Sequence, residues 1–171
     1  NVSIREAAVS PDGRRLAFVA RSASGRTQLW LRDLASLPAQ PLDGTDGAAF
    51  PFWSPDSRSI AFFANRSLKS IEAAGGPPRI VADAPEGRGG TWSKDGVILF
   101  APNIGGGIHR VSASGGEVVA QTRTNPARHE SAHRWPAFLP DGRHFLYTAR
   151  SNDKENSGIY LASLDSGKPT R

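Results

Sequence analysis

The stretch Trp53-Ser54-Pro55-Asp56-Ser57-Arg58-Ser59-Ile60-Ala61-Phe62-Phe63 decides the fold. A large apolar residue leads into a short polar turn, and the turn leads into an almost unbroken apolar run. Proline presets φ at the second turn position, and aspartate accepts hydrogen bonds from nearby backbone amides. The run at 60–63 is too short for a helix and does not alternate with polar residues, so it reads as a strand buried on both faces. The pattern returns at Val9-Ser10-Pro11-Asp12-Gly13, Trp92-Ser93-Lys94-Asp95-Gly96 and Phe138-Leu139-Pro140-Asp141-Gly142, each followed by its own apolar run. The four aspartates, Asp12, Asp56, Asp95 and Asp141, lie 44, 39 and 46 positions apart. That is the period of about 40–50 residues expected of one four-stranded propeller blade.

Outward from each turn, a third strand begins at Leu29, Leu68, Ile108 and Ile159. Glycine-containing turns follow at 74–76, 114–116 and 165–167, and then short, partly polar outer strands such as 79–81 and 117–119. Polar outer strands blunt an exposed sheet edge. The expected fold is all-β, a β-propeller of four four-stranded antiparallel blades at about 4–43, 48–82, 89–122 and 134–171. The segment at 126–135 is expected to be an irregular inter-blade loop on the face opposite the turns. Trp53 and Trp92 hold the repeat's core position and are expected to be buried. The four blades are expected to be part of a larger ring of six to eight, so the segment reads as an open arc that self-associates to cover its end flanks. The chain begins at Asn1, lacks methionine and stops at Lys168-Pro169-Thr170-Arg171 inside an expected fourth strand, as an excised piece would.

Composition narrows the chemistry. The 171 residues include 18 glycines and 13 prolines, which suits short strands and tight turns, and no cysteine, which removes disulfides and thiolate chemistry. The net charge of +5 comes from dispersed arginines with no basic run, so no nucleic-acid partner is expected. Asn1-Val2-Ser3-Ile4-Arg5-Glu6 does not read as a leader, and no apolar run approaches the roughly 20 residues of a membrane helix, so no membrane contact is expected.

The repeats resemble those of TolB and its relatives, whose pattern reads roughly W-S-P-D-G-x-x-I-A-F, and the resemblance runs over essentially the whole chain. Three positions depart from it: Ser57 replaces the turn glycine, Lys94 replaces the turn proline, and the third blade is one residue short before Phe100. The same repeat type occurs in propellers of prolyl-oligopeptidase-like enzymes and of bacterial receptor-like serine/threonine kinases. The stretches 89–102 and 131–147 are most similar to the kinase-associated blades. The resemblance implies a non-catalytic ligand- or protein-binding propeller, the sensor or scaffold region of such a kinase, on the extracytoplasmic or periplasmic side of a bacterial membrane. The alternatives are the gating propeller of a prolyl-oligopeptidase-like hydrolase and a stand-alone TolB-like interaction module.

No catalytic set is expected. His129-Glu130-Ser131-Ala132-His133 is a literal H-E-x-x-H, which on a helix would hold zinc beside a general base. Here it lies between Pro126 and Pro136, and the residues after it read as another blade rather than a helix supplying a third ligand. Asp43, Asp46 and Gly47 lack the alternating carboxylates of a calcium loop. Gly105-Gly106-Gly107 lacks the G-K-[ST] ending of a phosphate loop, and no G-x-S-x-G, H-R-D or D-F-G occurs. No cofactor and no metal are therefore expected, and the four turn aspartates read as structural. The candidate binding surface is Arg88, His133, Arg134 and Trp135, at the entry to first strands that line a propeller's channel. The identity of the ligand is left open by these residues.

Overall fold

The computed structural model describes residues 3–21 and 25–170, with side chains for 4–21 and 25–165. Sixteen strands form four antiparallel sheets in which each strand pairs with the next along the chain. The first sheet is β1 (Ser3–Val9), β2 (Arg15–Arg21), β3 (Thr27–Asp33) and β4 (Ala39–Pro41). The second is β5 (Ala49–Trp53), β6 (Ser59–Ala64), β7 (Ser67–Glu72) and β8 (Arg79–Asp83). The third is β9 (Gly90–Trp92), β10 (Val97–Phe100), β11 (His109–Ser112) and β12 (Val119–Ala120). The fourth is β13 (Glu130–Phe138), β14 (His144–Ser151), β15 (Gly158–Ser163) and β16 (Ser166–Thr170). The chain divides into two units, Asn1–Asp83 and Ala84–Arg171, each holding two sheets. Among the described residues no helix is long and apolar enough to cross a membrane.

Each unit has a core between its two sheets. In the first, Ala17, Val19 and Leu29 pack with Trp53, Ile60, Phe62 and Ile71. In the second, Leu99 and Ile108 pack with Phe145, Tyr147, Ala149 and Tyr160. The second strands of the first three sheets are buried on both faces, as their unbroken apolar runs predict. Strand β14 differs: Phe145, Tyr147 and Ala149 are buried, while Leu146 and Thr148 are only half-buried. One face of the fourth sheet is thus covered by the third, and its other face shows Ile159 and Leu161 to solvent. Trp53 is buried, whereas Trp92, at the end of the three-residue β9, is half-buried, contrary to expectation.

Besides the burial of Trp92, two expectations about strand extents need correction. Residues 126–135 are not a mostly irregular loop. A short 3-10 turn at Pro126–Arg128 leads directly into β13, which begins at Glu130 and so starts the fourth blade four residues before 134. The outer strand of the third sheet is Val119–Ala120, not 117–119, because the turn ending at Gly116 runs on before pairing resumes opposite Arg110 and His109.

The turns form a hydrogen-bonded circuit that varies with the sequence. In the first turn, Ser10 Oγ donates to Asp12 Oδ1 at 2.5 Å, the Arg14 amide donates to the same carboxylate, and the Arg15 amide donates to Ser10 Oγ. Asp56 repeats this arrangement with Ser54, Arg58 and Ser59. The serine hydroxyl first and the backbone amide second hold both carboxyls below the usual range. In the fourth turn Leu139 has no hydroxyl, so Asp141 takes the amides of Arg143 and His144 together with His144 Nδ1. Those three donors, the Arg143 amide foremost, bring the Asp141 carboxyl down to about 2. The third turn is one residue short. The Val97 amide, which by spacing belongs to Asp95, donates instead to Ser93 Oγ, and no bond reaches the Asp95 carboxylate among the described residues.

Ser57, standing where the repeat has glycine, adopts φ 61°, a left-handed conformation that costs a non-glycine residue. It compensates by joining the two turns of its unit. Its hydroxyl accepts the Asp12 amide at 3.1 Å, and its carbonyl accepts the Arg15 guanidinium, which lies over the Trp53 ring.

Thermal melts of turn variants check this account. Ser57→Ala removes the hydroxyl bond to the Asp12 amide, keeps the carbonyl bond to Arg15 and the strained backbone, and is expected to cost about 1 kcal/mol. Asp141→Ala is expected to destabilise near neutral pH, and Asp95→Ala far less. Because the Asp141 carboxyl is depressed on folding, its contribution is complete above its unfolded value of about 3.9 and is lost as pH falls through about 2. The difference between Asp141→Ala and the parent should close over that window.

Candidate functional site

Strand β13 carries three of the four residues expected to bind ligand, and two bulges set where they point. At the first, Glu130 pairs with Ser151 and Ala132 with Arg150, so one extra residue, Ser131, is inserted. An extra residue reverses the alternation of faces beyond it, which brings Glu130 and His133 to the same face. At the second, Arg134 pairs with Thr148 and Ala137 with Leu146. Trp135 sits in this bulge at φ 54°, just before Pro136. Phe50, before Pro51 in β5, does the same at φ 50°.

His133 does not reach the surface: it is 1% exposed. Its Nδ1 lies 2.8 Å from Thr122 Oγ1 and its Nε2 lies 3.0 Å from Glu130 Oε2. The Glu130 carboxylate can only accept, so Nε2 carries the imidazole proton and Nδ1 accepts from the Thr122 hydroxyl, whose oxygen in turn accepts the Ile108 amide. Burial pushes the His133 pKa below its ordinary value, against the upward pull of Glu130. Glu130 also accepts the Asn125 amide at 2.7 Å, and Arg128 lies 3.6 Å from it. The Tyr147 ring packs 4.6 Å from the imidazole, and burial, with Glu130 second, raises its hydroxyl pKa. The other histidine of the H-E-x-x-H stretch, His129, is exposed and paired with Asp153 at 2.9 Å. The two imidazoles therefore serve separate networks. Among the described residues no three metal-ligating side chains gather at one point.

Arg88, Arg134 and Trp135 do come together. The Trp135 amide donates to the Arg88 carbonyl, and the indole lies over Gly89, where a Cβ would meet the ring at 2.5 Å. Glycine is therefore required at 89, and Trp135 remains 45% exposed. The Arg134 guanidinium is fastened to the Ile104 carbonyl through Nε at 3.0 Å and through a second nitrogen. Its pKa is lowered by burial first and then by the positive charges of Arg150 and Arg88. Arg150 is the member that sequence reasoning missed. Ala132 pairs with Arg150 and Arg134 with Thr148, so the two arginines are diagonal neighbours on one face. That juxtaposition depends on the bulge at Ser131, which no local residue pattern announces. The glycine run at 105–107 is also structural: Gly106 bridges to Ala132, and a Cβ on Gly107 would overlap the Thr122 carbonyl. A separate cavity of about 330 Å³ in the first unit is lined by Arg15, Asp33 and Asp43 among others.

Comparison with known proteins fits this geometry. No family model matches the chain. A TolB-like structure from Agrobacterium tumefaciens superposes with TM-score 0.82 at 18% identity, covering 98% of this chain and 64% of that one. TolB from Acinetobacter baumannii gives TM-score 0.78 at 18% identity, covering 98% and 42%. The β-propeller domain of the trilobed protease from Pyrococcus furiosus gives 0.67 at 13%, covering 99% and 56%. The four sheets are propeller blades. In sequence, the chain is 30% identical over 152 residues to the uncharacterized peptidase YuxL of Bacillus subtilis, which is 86% of this chain and 22% of the relative. The chain thus spans about a fifth of that relative's length.

The buried network is expected to matter for stability and for its pH dependence. His133→Ala opens a cavity beside Tyr147 and removes one partner each from Thr122 and Glu130, which keep the Ile108 and Asn125 amides, and should cost about 2 kcal/mol. A histidine whose pKa falls on folding weakens the native state as pH drops below its unfolded value of about 6.5, because only the unfolded chain then takes up the proton. Denaturant melts from pH 7 to pH 5 should show that loss in the parent and a flatter profile in His133→Gln.

Proposed function

We propose that this chain is a non-catalytic recognition segment, four blades of a larger propeller that filters or orients peptides for a peptidase domain elsewhere in the same protein. The observation that carries the reading is the 30% identity to YuxL, which extends over 152 residues and so over nearly the whole repeat array, rather than over one turn motif. The fold likeness to a protease propeller agrees with it. Ile159 and Leu161, 65% and 36% exposed on the open face of the fourth sheet, suit a surface against which a further blade packs. Within the chain the polar groups that resemble catalytic sets are engaged in structural bonds: Glu130 with His133 and the Asn125 amide, and Asp12, Asp56 and Asp141 with their turns. The receptor-kinase setting implied by the blade sequences draws no support from these relatives.

Treatment of the full-length protein with a serine-directed fluorophosphonate tests the proposal. The expected result is labelling of one serine outside residues 1–171 and none within them. Absence of labelling, with a phosphotransferase domain in the same protein, would contradict it.

A further inference from the structure

The surface at the start of β13 carries a chemistry that the peptide-filter reading leaves unspecified. Arg134 is held rigidly by the Ile104 carbonyl and lies within the field of both Arg88 and Arg150. Among the described residues no carboxylate forms an ion pair with Arg134 or Arg150, although carboxylates pair with Arg26, Arg128 and Arg143 elsewhere. Like charges held together raise each other's energy, and a bound anion relieves that repulsion. A guanidinium whose Nε edge is already fixed also loses little side-chain freedom on binding. Beside this cluster Trp135 offers a half-exposed indole, held at φ 54° and backed by Gly89, as an apolar surface next to the charges.

The geometry points to a carboxylate-binding site: Arg134 and Arg150, assisted by Arg88, take a carboxylate of an extended peptide, and Trp135 takes the apolar side chain next to it. Planar guanidinium and planar carboxylate match in two-point hydrogen bonding, which distinguishes this ligand from a merely anionic surface. Glu130, close in sequence, does not compete, because its carboxylate is turned inward to His133 and the Asn125 amide. The network on one face of β13 thereby fixes the strand whose next two residues meet the ligand. The assignment rests on the peptide-recognition reading, but it is tested by binding rather than by cleavage.

The test uses the full-length protein, treated beforehand with the fluorophosphonate so that peptides stay intact. Fluorescence anisotropy is measured with dye-labelled hexapeptides ending in phenylalanine, as the free acid and as the amide. A second pair of amidated peptides carries glutamate or glutamine beside phenylalanine. At least a tenfold preference for an acid over its neutral partner is expected, weakening with added salt, and the preferred pair tells chain terminus from side chain. Arg134→Gln and Arg150→Gln should abolish the preference while leaving the neutral peptides' affinity unchanged. Trp135→Ala should weaken acid and neutral peptides alike. Equal affinities within both pairs, or a preference that survives both arginine variants in proteins with parental melting temperatures, would overturn the assignment. Failure of serine labelling would count against the peptidase setting and leave the acid preference to be read on its own.

Discussion

Apolar strands that must be covered on both faces are the constraint on which the structure rests. A run such as Ile60-Ala61-Phe62-Phe63 is stable only with a packed layer on each side, and a lone four-stranded sheet provides neither. In the first unit, Ala17 and Val19 of one sheet meet Ile60 and Phe62 of the next. In the second unit, Leu99 and Ile108 meet Phe145 and Tyr147. The fourth sheet shows what happens where the constraint relaxes: β14 alternates, and its uncovered face carries Leu146, Thr148 and Arg150.

Stacked sheets must also be held in register, and polar groups do this at both ends of the strands. At one end the turn aspartates and serines close their hairpins, and Ser57 ties one hairpin to its neighbour. At the other end, the chain from the Ile108 amide through Thr122 and His133 to Glu130 fastens β13 to the third sheet. This network is buried, so its value lies in being fully satisfied, and a missing member would leave a stranded polar group. The same strand then turns outward at a bulge to present Arg134 and Trp135. The buried network and the proposed recognition residues thus lie on adjacent positions of β13.

Much of this was legible in the sequence because turn chemistry and apolar runs are local. Asp12, Asp56 and Asp141 announce their hairpins through residues within three positions. The one-residue deletion in the third repeat foreshadowed its weaker turn, and the positions of Arg88, Arg134 and Trp135 followed from the repeat. What could not be read depends on register between distant residues. The burial of His133 requires Thr122 and Tyr147 beside it, and the pairing of Arg134 with Arg150 requires a bulge at Ser131. The expectation of a loop at 126–135 failed because Pro126 and Pro136 look like strand breakers, whereas one opens a 3-10 turn and the other follows a bulge.

The division of β13 into an inward polar face at His133 and an outward face carrying Arg134 is tested most directly by the protonation state of His133. Nitrogen-15 chemical shifts of the imidazole, followed by NMR from pH 8 to pH 5, report both tautomer and charge. The account predicts a neutral ring with its proton on Nε2 at pH 7, and protonation only below the ordinary histidine value. A ring that titrates at about 6.5, as an exposed histidine does, or one protonated on Nδ1, would contradict it.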